Sequence, residues 1–262
     1  FLFGDMNIHK AAEEGNRKWI RNYIEEGSSI NVKNGHGWTP LFVACRENNK
    51  RTVKFLLKVK GIRVNTRESQ NLPFKGRTPL HVACQNGCSE IVAWLLSDKR
   101  VNVNILDTQG LSALHYAAEG GDDKTIDVLL SDSRIDINYV PKNSTYFRSV
   151  VTTAFRKQNA KAVIRLLEDT RLDKAHIEAL FDNVQNTNNF VLIRAVLTDP
   201  RVQITKEKAK KLYERFEYTY CNVDVLIVLC TVTNYPIEEI CSDNNTIQKA
   251  KEKRSIECTK SA

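Results

Sequence analysis

Three residues in one short run have the types and the spacing of a reactive site. In GRTPLHVACQNGCSEIVAWLL, residues 76 to 96, His81, Cys84 and Cys88 fall at i, i+3 and i+7. On a helix these side chains share one face. That is the disposition of three protein ligands around zinc, or of a thiol beside the imidazole that would deprotonate it. Other candidates for chemistry are poor. Glu13-Glu14 and Glu25-Glu26 are paired carboxylates, but sequence neighbours point to different sides of a helix, and solvated charge is the plainer reading. No Gly-rich phosphate loop and no Ser/His/Asp set with a supporting context occurs.

The elements that would carry the triad come from a repeat. The strings GWTPLFVACRENNKRTVKFLL (37 to 57), GRTPLHVACQNGCSEIVAWLL (76 to 96) and GLSALHYAAEGGDDKTIDVLL (110 to 130) align, and NIHKAAEEGNRKWIRNYI (7 to 24) is a weaker copy. The spacing is 33 residues from Ala12 to Cys45, 39 from Cys45 to Cys84 and 34 from Cys84 to Ala118. Each copy reads as two helices. Thr78 is placed to cap the first, with Pro79 where its missing N–H costs nothing. Leu80, Ala83 and Cys84 form its apolar stripe, and it should stop near Gly87, whose place is held by Gly15, Asn48 and Gly121 in the other copies. Ser89 opens a second helix carrying Ile91, Val92, Trp94, Leu95 and Leu96.

Across the copies His81 is matched by Phe42 and His115, Cys84 by Cys45 and Ala118, and Cys88 by Asn49 and Asp122. A metal site does not interchange with Phe and Ala, so the triad reads as architecture, with Cys45 and Cys84 as small core residues and Cys88 exposed. No cofactor, no metal and no catalysis are expected. Trp19 and Trp94, at apolar slots of second helices, are expected in the core.

The Thr-Pro-Leu-His run and the closing pairs Ile30-Asn31, Val64-Asn65, Val103-Asn104 and Ile137-Asn138 resemble the ankyrin repeat family. The resemblance implies a structural role for His81, an all-α helical solenoid with short hairpin loops, and a protein-binding function. The second half lacks the signature. An Asp-x-Arg-apolar phrase that follows an apolar pair at Asp98 and Asp132 reappears there at Asp169 and Asp199, which predicts continued repeats. We expect about seven helix pairs in a single array over 1–240, with repeats at about 5–34, 35–72, 73–106, 107–143, 144–176, 177–205 and 206–240, and a polar tail or linker over 241–262. The phrase displaces the family's usual Gly-containing loop. A second departure is RESQNLPFKG (67 to 76), which stretches the Asn65-to-Thr78 interval to thirteen residues, against eight from Asn31 to Thr39.

The bulk numbers fit this reading. The 262 residues are 42% hydrophobic and 27% charged, an ordinary globular composition. The longest apolar run, Val225 to Val232, is too short to span a bilayer. Residue 1 is Phe, so the chain reads as a piece of a longer one. Seven scattered cysteines suit a reducing, intracellular setting, the cytoplasm first, or that of a host cell for a microbial product. The net charge of +8 equals the excess of one window, Arg46 to Arg77, with ten basic and two acidic residues. Lys50, Lys54 and Lys58 recur every four residues there and predict a basic patch.

A stack of helix pairs offers a concave face of first helices and hairpin tips for docking. Trp38 stands where other copies have Arg77, Leu111 and Arg148, so the framework does not demand an aromatic. It is the expected anchor for a protein partner, with His36, Phe74, Lys75, Arg77, Leu111, Tyr146 and Arg148 at neighbouring tips and Arg46, Gln85 and Glu119 on the helices behind. The alternative is that Trp38 folds back against the long loop, onto Phe74. Two other functions stay open: the recognition part of an enzyme or effector whose catalytic part lies elsewhere, and a basic patch for an acidic partner. Nucleic acid is the less expected partner, because no aromatic residue interleaves with those lysines on the helix face to stack on bases. A monomer is expected.

Overall fold

The first helices begin where the Thr-Pro pairs place them. In the computed structural model Thr39 and Thr78 are extended and accept from the backbone N–H of Phe42 and His81, with Pro40 and Pro79 opening the helices. The structure describes residues 6–69, 75–120, 122–142, 149–216 and 222–260. Among these there are sixteen helices: α1 (Ile8–Glu13), α2 (Arg17–Glu25), α3 (Pro40–Arg46), α4 (Lys50–Leu56), α5 (Pro79–Gln85), α6 (Ser89–Ser97), α7 (Ala113–Gly120), α8 (Asp123–Leu130), α9 (Val150–Arg156), α10 (Ala160–Glu168), α11 (Lys174–Val184), α12 (Phe190–Leu197), α13 (Lys206–Phe216), α14 (Asn222–Thr233), α15 (Ile237–Ile240) and α16 (Asn244–Lys260). They pack pairwise in chain order, as the repeat predicts.

The turn between the two helices of a pair needs a left-handed residue. Gly15, Asn48, Gly87 and Gln158 supply it, with φ between 54° and 75°. Gly121, expected to do the same, lies outside the described residues.

The chain forms two compact units, Phe1–Arg165 and Leu166–Ala262. In the first, α1, α3, α5, α7 and α9 pack in sequence as one layer, and α4, α6 and α8 as a second. Small residues let the first helices approach: Ala11, Ala12, Ala44, Cys45, Ala83, Cys84 and Ala118 are fully buried. A side chain on Gly120 would lie 2.6 Å from the Gln85 carbonyl of α5. In the second unit α12, α13 and α16 pack on α14, and α15 on α13. Residues 244–260 of the expected polar tail are thus the helix α16, with Ile247 and Ala250 buried.

The Asp-x-Arg phrase is a staple between repeats. Asp98 accepts from Arg100 N (3.0 Å) and pairs with the Arg100 guanidinium, whose Nη2 also donates to the Leu57 carbonyl at the end of the preceding repeat's second helix (2.7 Å). Arg134 repeats this with Asp132 and the Leu96 carbonyl (2.6 Å), and Arg201 with Asp199 and the Leu167 carbonyl. The helix end that lacks a glycine is thus closed by a side chain. The closing asparagines form a second link. Asn31, Asn65 and Asn104 each donate to a carbonyl and accept from an N–H of the next repeat, at 2.7–3.2 Å.

Two expectations about packing are corrected. Cys88 is 4% exposed, because its thiol turns inward toward the Cys45 carbonyl. Trp19 and Trp94 are half-buried rather than core. Trp19 stacks on Tyr23, and Trp94 carries the Lys54 ammonium over its ring.

Candidate functional site

The tip of the second repeat is built from a tight turn. Asn34 Oδ1 accepts from His36 N and Trp38 N, both at 3.0 Å, while Asn34 N donates to the Trp38 carbonyl (3.0 Å) and Gly37 N to the Asn34 carbonyl (2.8 Å). Gly37 has φ +76°, and a Cβ there would lie 2.4 Å from Ser69 N. That contact is with the long loop, whose Ser69 N donates to the His36 carbonyl (3.0 Å). Ser69, at the start of the long loop, therefore lies against the neighbouring tip.

Glu68 is the centre of this junction. It is 2% exposed, and its carboxylate accepts from Arg77 Nε (2.6 Å), Arg77 Nη2 (3.2 Å), Trp38 Nε1 (2.9 Å) and the backbone N–H groups of Lys75 and Arg77 (3.3 Å each). Burial alone would raise its pKa, but the hydrogen bonds from Arg77 and Trp38 outweigh this and hold it below the ordinary glutamate value. Arg77 also donates to Gln85 Oε1 on α5. Trp38 is half-buried, stacked on Phe42 with centroids 5.7 Å apart, beside His36 (4.6 Å) and under the Arg46 guanidinium (4.4 Å).

Of the residues expected to meet a partner, His36, Trp38, Arg46, Arg77 and Gln85 come together here, and the Lys75 carbonyl ties the cluster to the next tip through Thr108 N (2.8 Å). Leu111 does not join them as surface: it is 1% exposed, and its carbonyl accepts from His81 Nε2 (3.2 Å). Glu119 pairs with Lys157 at 2.6 Å. Phe74, Tyr146 and Arg148 lie outside the described residues. In the basic patch, Lys50 pairs with Glu90 (2.7 Å), Lys54 lies over Trp94, and Lys58 is past the end of α4. Glu68 and Phe42 are the members that sequence reasoning passes over. Glu68 had a signal, as one of two acids among ten bases and inside the one abnormal loop.

The opening triad is packing. A carbonyl only accepts, so His81 donates from Nε2 to Leu111 and uses Nδ1 to accept from Thr78 N (3.2 Å), which makes it a neutral capping histidine. Burial lowers its pKa to about 4 and raises those of the Cys45 and Cys84 thiols, leaving neither base nor thiolate. Among the described residues no cluster of three His, Cys, Asp or Glu is placed to hold a metal ion.

Stacked helix pairs with capped first helices and stapled second helices define a repeat-type module. Residues 8–107 and 67–141, together just over half of the chain, match the model described as ankyrin repeats (3 copies), and the chain belongs to the ankyrin repeat family. Among known proteins, it is 27% identical over 66 residues to protein phosphatase 1 regulatory subunit 27 of Homo sapiens, a match covering 25% of this chain and 43% of that protein. The chain thus spans less than half the length of that relative. Among solved structures, the ankyrin repeat domain of Bcl-3, described as a unique member of the IkappaB protein family, matches with a TM-score of 0.63 at 21% identity, over 75% of this chain and 87% of that one. No helix among the described residues is long and apolar enough to cross a membrane.

Proposed function

We propose that this chain is a non-catalytic protein-interaction module that grips a protein partner with the hairpin tips and first helices of its second and third repeats. The observation that carries the reading is the junction around Glu68. Glu68, from the loop that the repeat does not require, ties Trp38 to Lys75 and Arg77 behind a surface that presents His36, Arg46, Lys75 and Gln85. Trp38 supports that surface rather than projecting from it, since its indole N–H and ring face are engaged by Glu68, Phe42 and Arg46. A preformed surface of aromatic and arginine side chains spares a partner much of the ordering cost of binding. Ankyrin repeats typically bind proteins, and the similarity to a phosphatase regulatory subunit is consistent with a regulatory, non-catalytic role. The five cysteines whose side chains are described are free thiols, which suits a reducing interior.

The test is affinity capture from extracts of the source cells with the wild-type chain and with Arg46→Glu and Trp38→Ala. Proteins held through this surface should be lost with Arg46→Glu, at a melting temperature lowered by only about 1–4 °C for the lost contact with the Trp38 ring. Trp38→Ala should lower both capture and melting temperature, because the support is removed. Identical capture by wild type and Arg46→Glu would refute the reading.

A further inference from the structure

The second helices of the first unit meet in one fixed register. They begin at Arg17, Lys50, Ser89, Asp123 and Ala160. The first residue of one pairs with the second residue of the next: Lys50 with Glu90 (2.7 Å) and Asp123 with Lys161 (3.0 Å). The fifth meets the sixth of the next: Asp127 with Arg165 (3.2 Å), Lys54 over Trp94 (5.5 Å) and Arg21 over Phe55 (5.8 Å). At these three junctions opposite charges, or a cation and a ring, face each other, while between α6 and α8 the same register holds the uncharged Ser89 opposite Lys124 and Ala93 opposite Val128.

One junction sets like charges in this register. Where α2 meets α4, the first-to-second register is occupied by Arg17 and Arg51, two like charges. Both are exposed, as are Lys18, Arg21, Lys54 and Lys58 around them, and among the described residues Arg17, Lys18, Arg51 and Lys58 make no ion pair. Like charges at this spacing are unfavourable, and the same register elsewhere shows what relieves it: a carboxylate. Here the described residues supply none.

We propose that the outer face of α2 and α4 is a second docking surface, which takes an acidic polypeptide segment with a carboxylate set between Arg17 and Arg51. It lies on the second-helix layer, away from the first-helix surface around Trp38, so one molecule can hold two partners at once. Charge complementarity selects the class of occupant. Nucleic acid fits less well, because Arg21 and Lys54 already lie on the rings of Phe55 and Trp94 on which bases would stack. A lipid surface fits less well, because the large exposed apolar residues, Val32, Val140, Val191 and Val232, lie outside α2 and α4.

The experiment titrates a fluorescein-labelled oligoglutamate peptide into the whole chain and follows anisotropy at low and physiological salt. Three proteins are compared: wild type, Arg51→Glu and Lys124→Glu. Both variants make the same change in net charge at the second position of a second helix, but Lys124 faces Ser89 in this register, not a cation. Arg51→Glu should weaken the peptide about tenfold or more. It should also leave the melting temperature equal or higher, since Glu at 51 pairs with Arg17 as Glu90 does with Lys50. Lys124→Glu should change affinity about twofold or less. Equal weakening by the two variants would overturn the site in favour of net charge alone. Tighter binding of an oligothymidylate or of phosphatidylserine vesicles than of oligoglutamate would overturn the assigned partner. Neither variant touches the first-helix surface, so failure here leaves the Arg46→Glu test standing.

Discussion

Replacing Glu68 by Gln should loosen the long loop and the tip it supports while keeping the side chain's shape. The carboxylate accepts five hydrogen bonds, three of them from the Arg77 and Trp38 side chains, and is itself fully buried. An amide retains one acceptor oxygen and turns an NH2 toward donors that already point inward. Breaking one side of a buried ion pair costs about 3–5 kcal/mol. Arg77 keeps Gln85 and its side chain is 20% exposed, so water softens the loss, and the lower end, about 3 kcal/mol, applies. For a chain of this size that is a fall of about 6–12 °C in melting temperature, if the repeats melt together. Should the first repeats melt separately, the loss concentrates there. Urea titrations followed by tryptophan fluorescence and by far-ultraviolet circular dichroism separate the two cases. The pH dependence is a second readout. Because the folded pKa of Glu68 lies below the ordinary value, its contribution is fully present above the unfolded pKa and is lost as pH falls through the folded one. The Gln variant should lack that component of acid sensitivity. A variant melting within about 1 °C of wild type, with the same acid profile, would refute the claim that this carboxylate holds the junction.

His81 gives a second pH effect, at higher pH. Its folded pKa of about 4 lies below the unfolded 6.5, so stability is complete above 6.5 and declines by about 3 kcal/mol as pH falls to 4. His81→Phe, which copies Phe42 of the second repeat, should show a flatter urea midpoint between pH 7 and 5. Arg134→Ala removes the staple to the Leu96 carbonyl and should cost about 1–2 kcal/mol in urea unfolding, discounted because the side chain is 42% exposed. Arg134→Lys should recover only part of this, since an ammonium cannot serve Asp132 as a fork and reach the carbonyl as well.

The local elements were legible in the sequence because their causes are local. Thr-Pro at a helix start, Gly or Asn at a left-handed turn and small residues at a repeated slot are fixed by backbone sterics and short-range bonds, and the exchange of Cys84 for Ala118 marked that slot as a packing position. The Asp-x-Arg phrase was visible as a mark of repetition. Its action was not, because the carbonyl it reaches lies in the preceding repeat, about 40 residues back for Arg100 and Leu57. The same limit governs the candidate site. The sequence set Trp38 apart as an aromatic that the framework does not require, but whether it projects or supports depends on Glu68, thirty residues away, folding beneath it. Leu111 looked like a tip residue until packing buried it, and Cys88 looked exposed until its thiol turned inward. The basic window could be counted in the sequence, but not which of its charges meet a partner. Lys50 and Lys54 are answered by Glu90 and Trp94 of the next repeat, and the unanswered charge falls at Arg17 and Arg51. A charge or a ring is a property of one residue and can be read from the chain. Whether it is satisfied is a property of a pair, and the partner is chosen by the stacking of repeats.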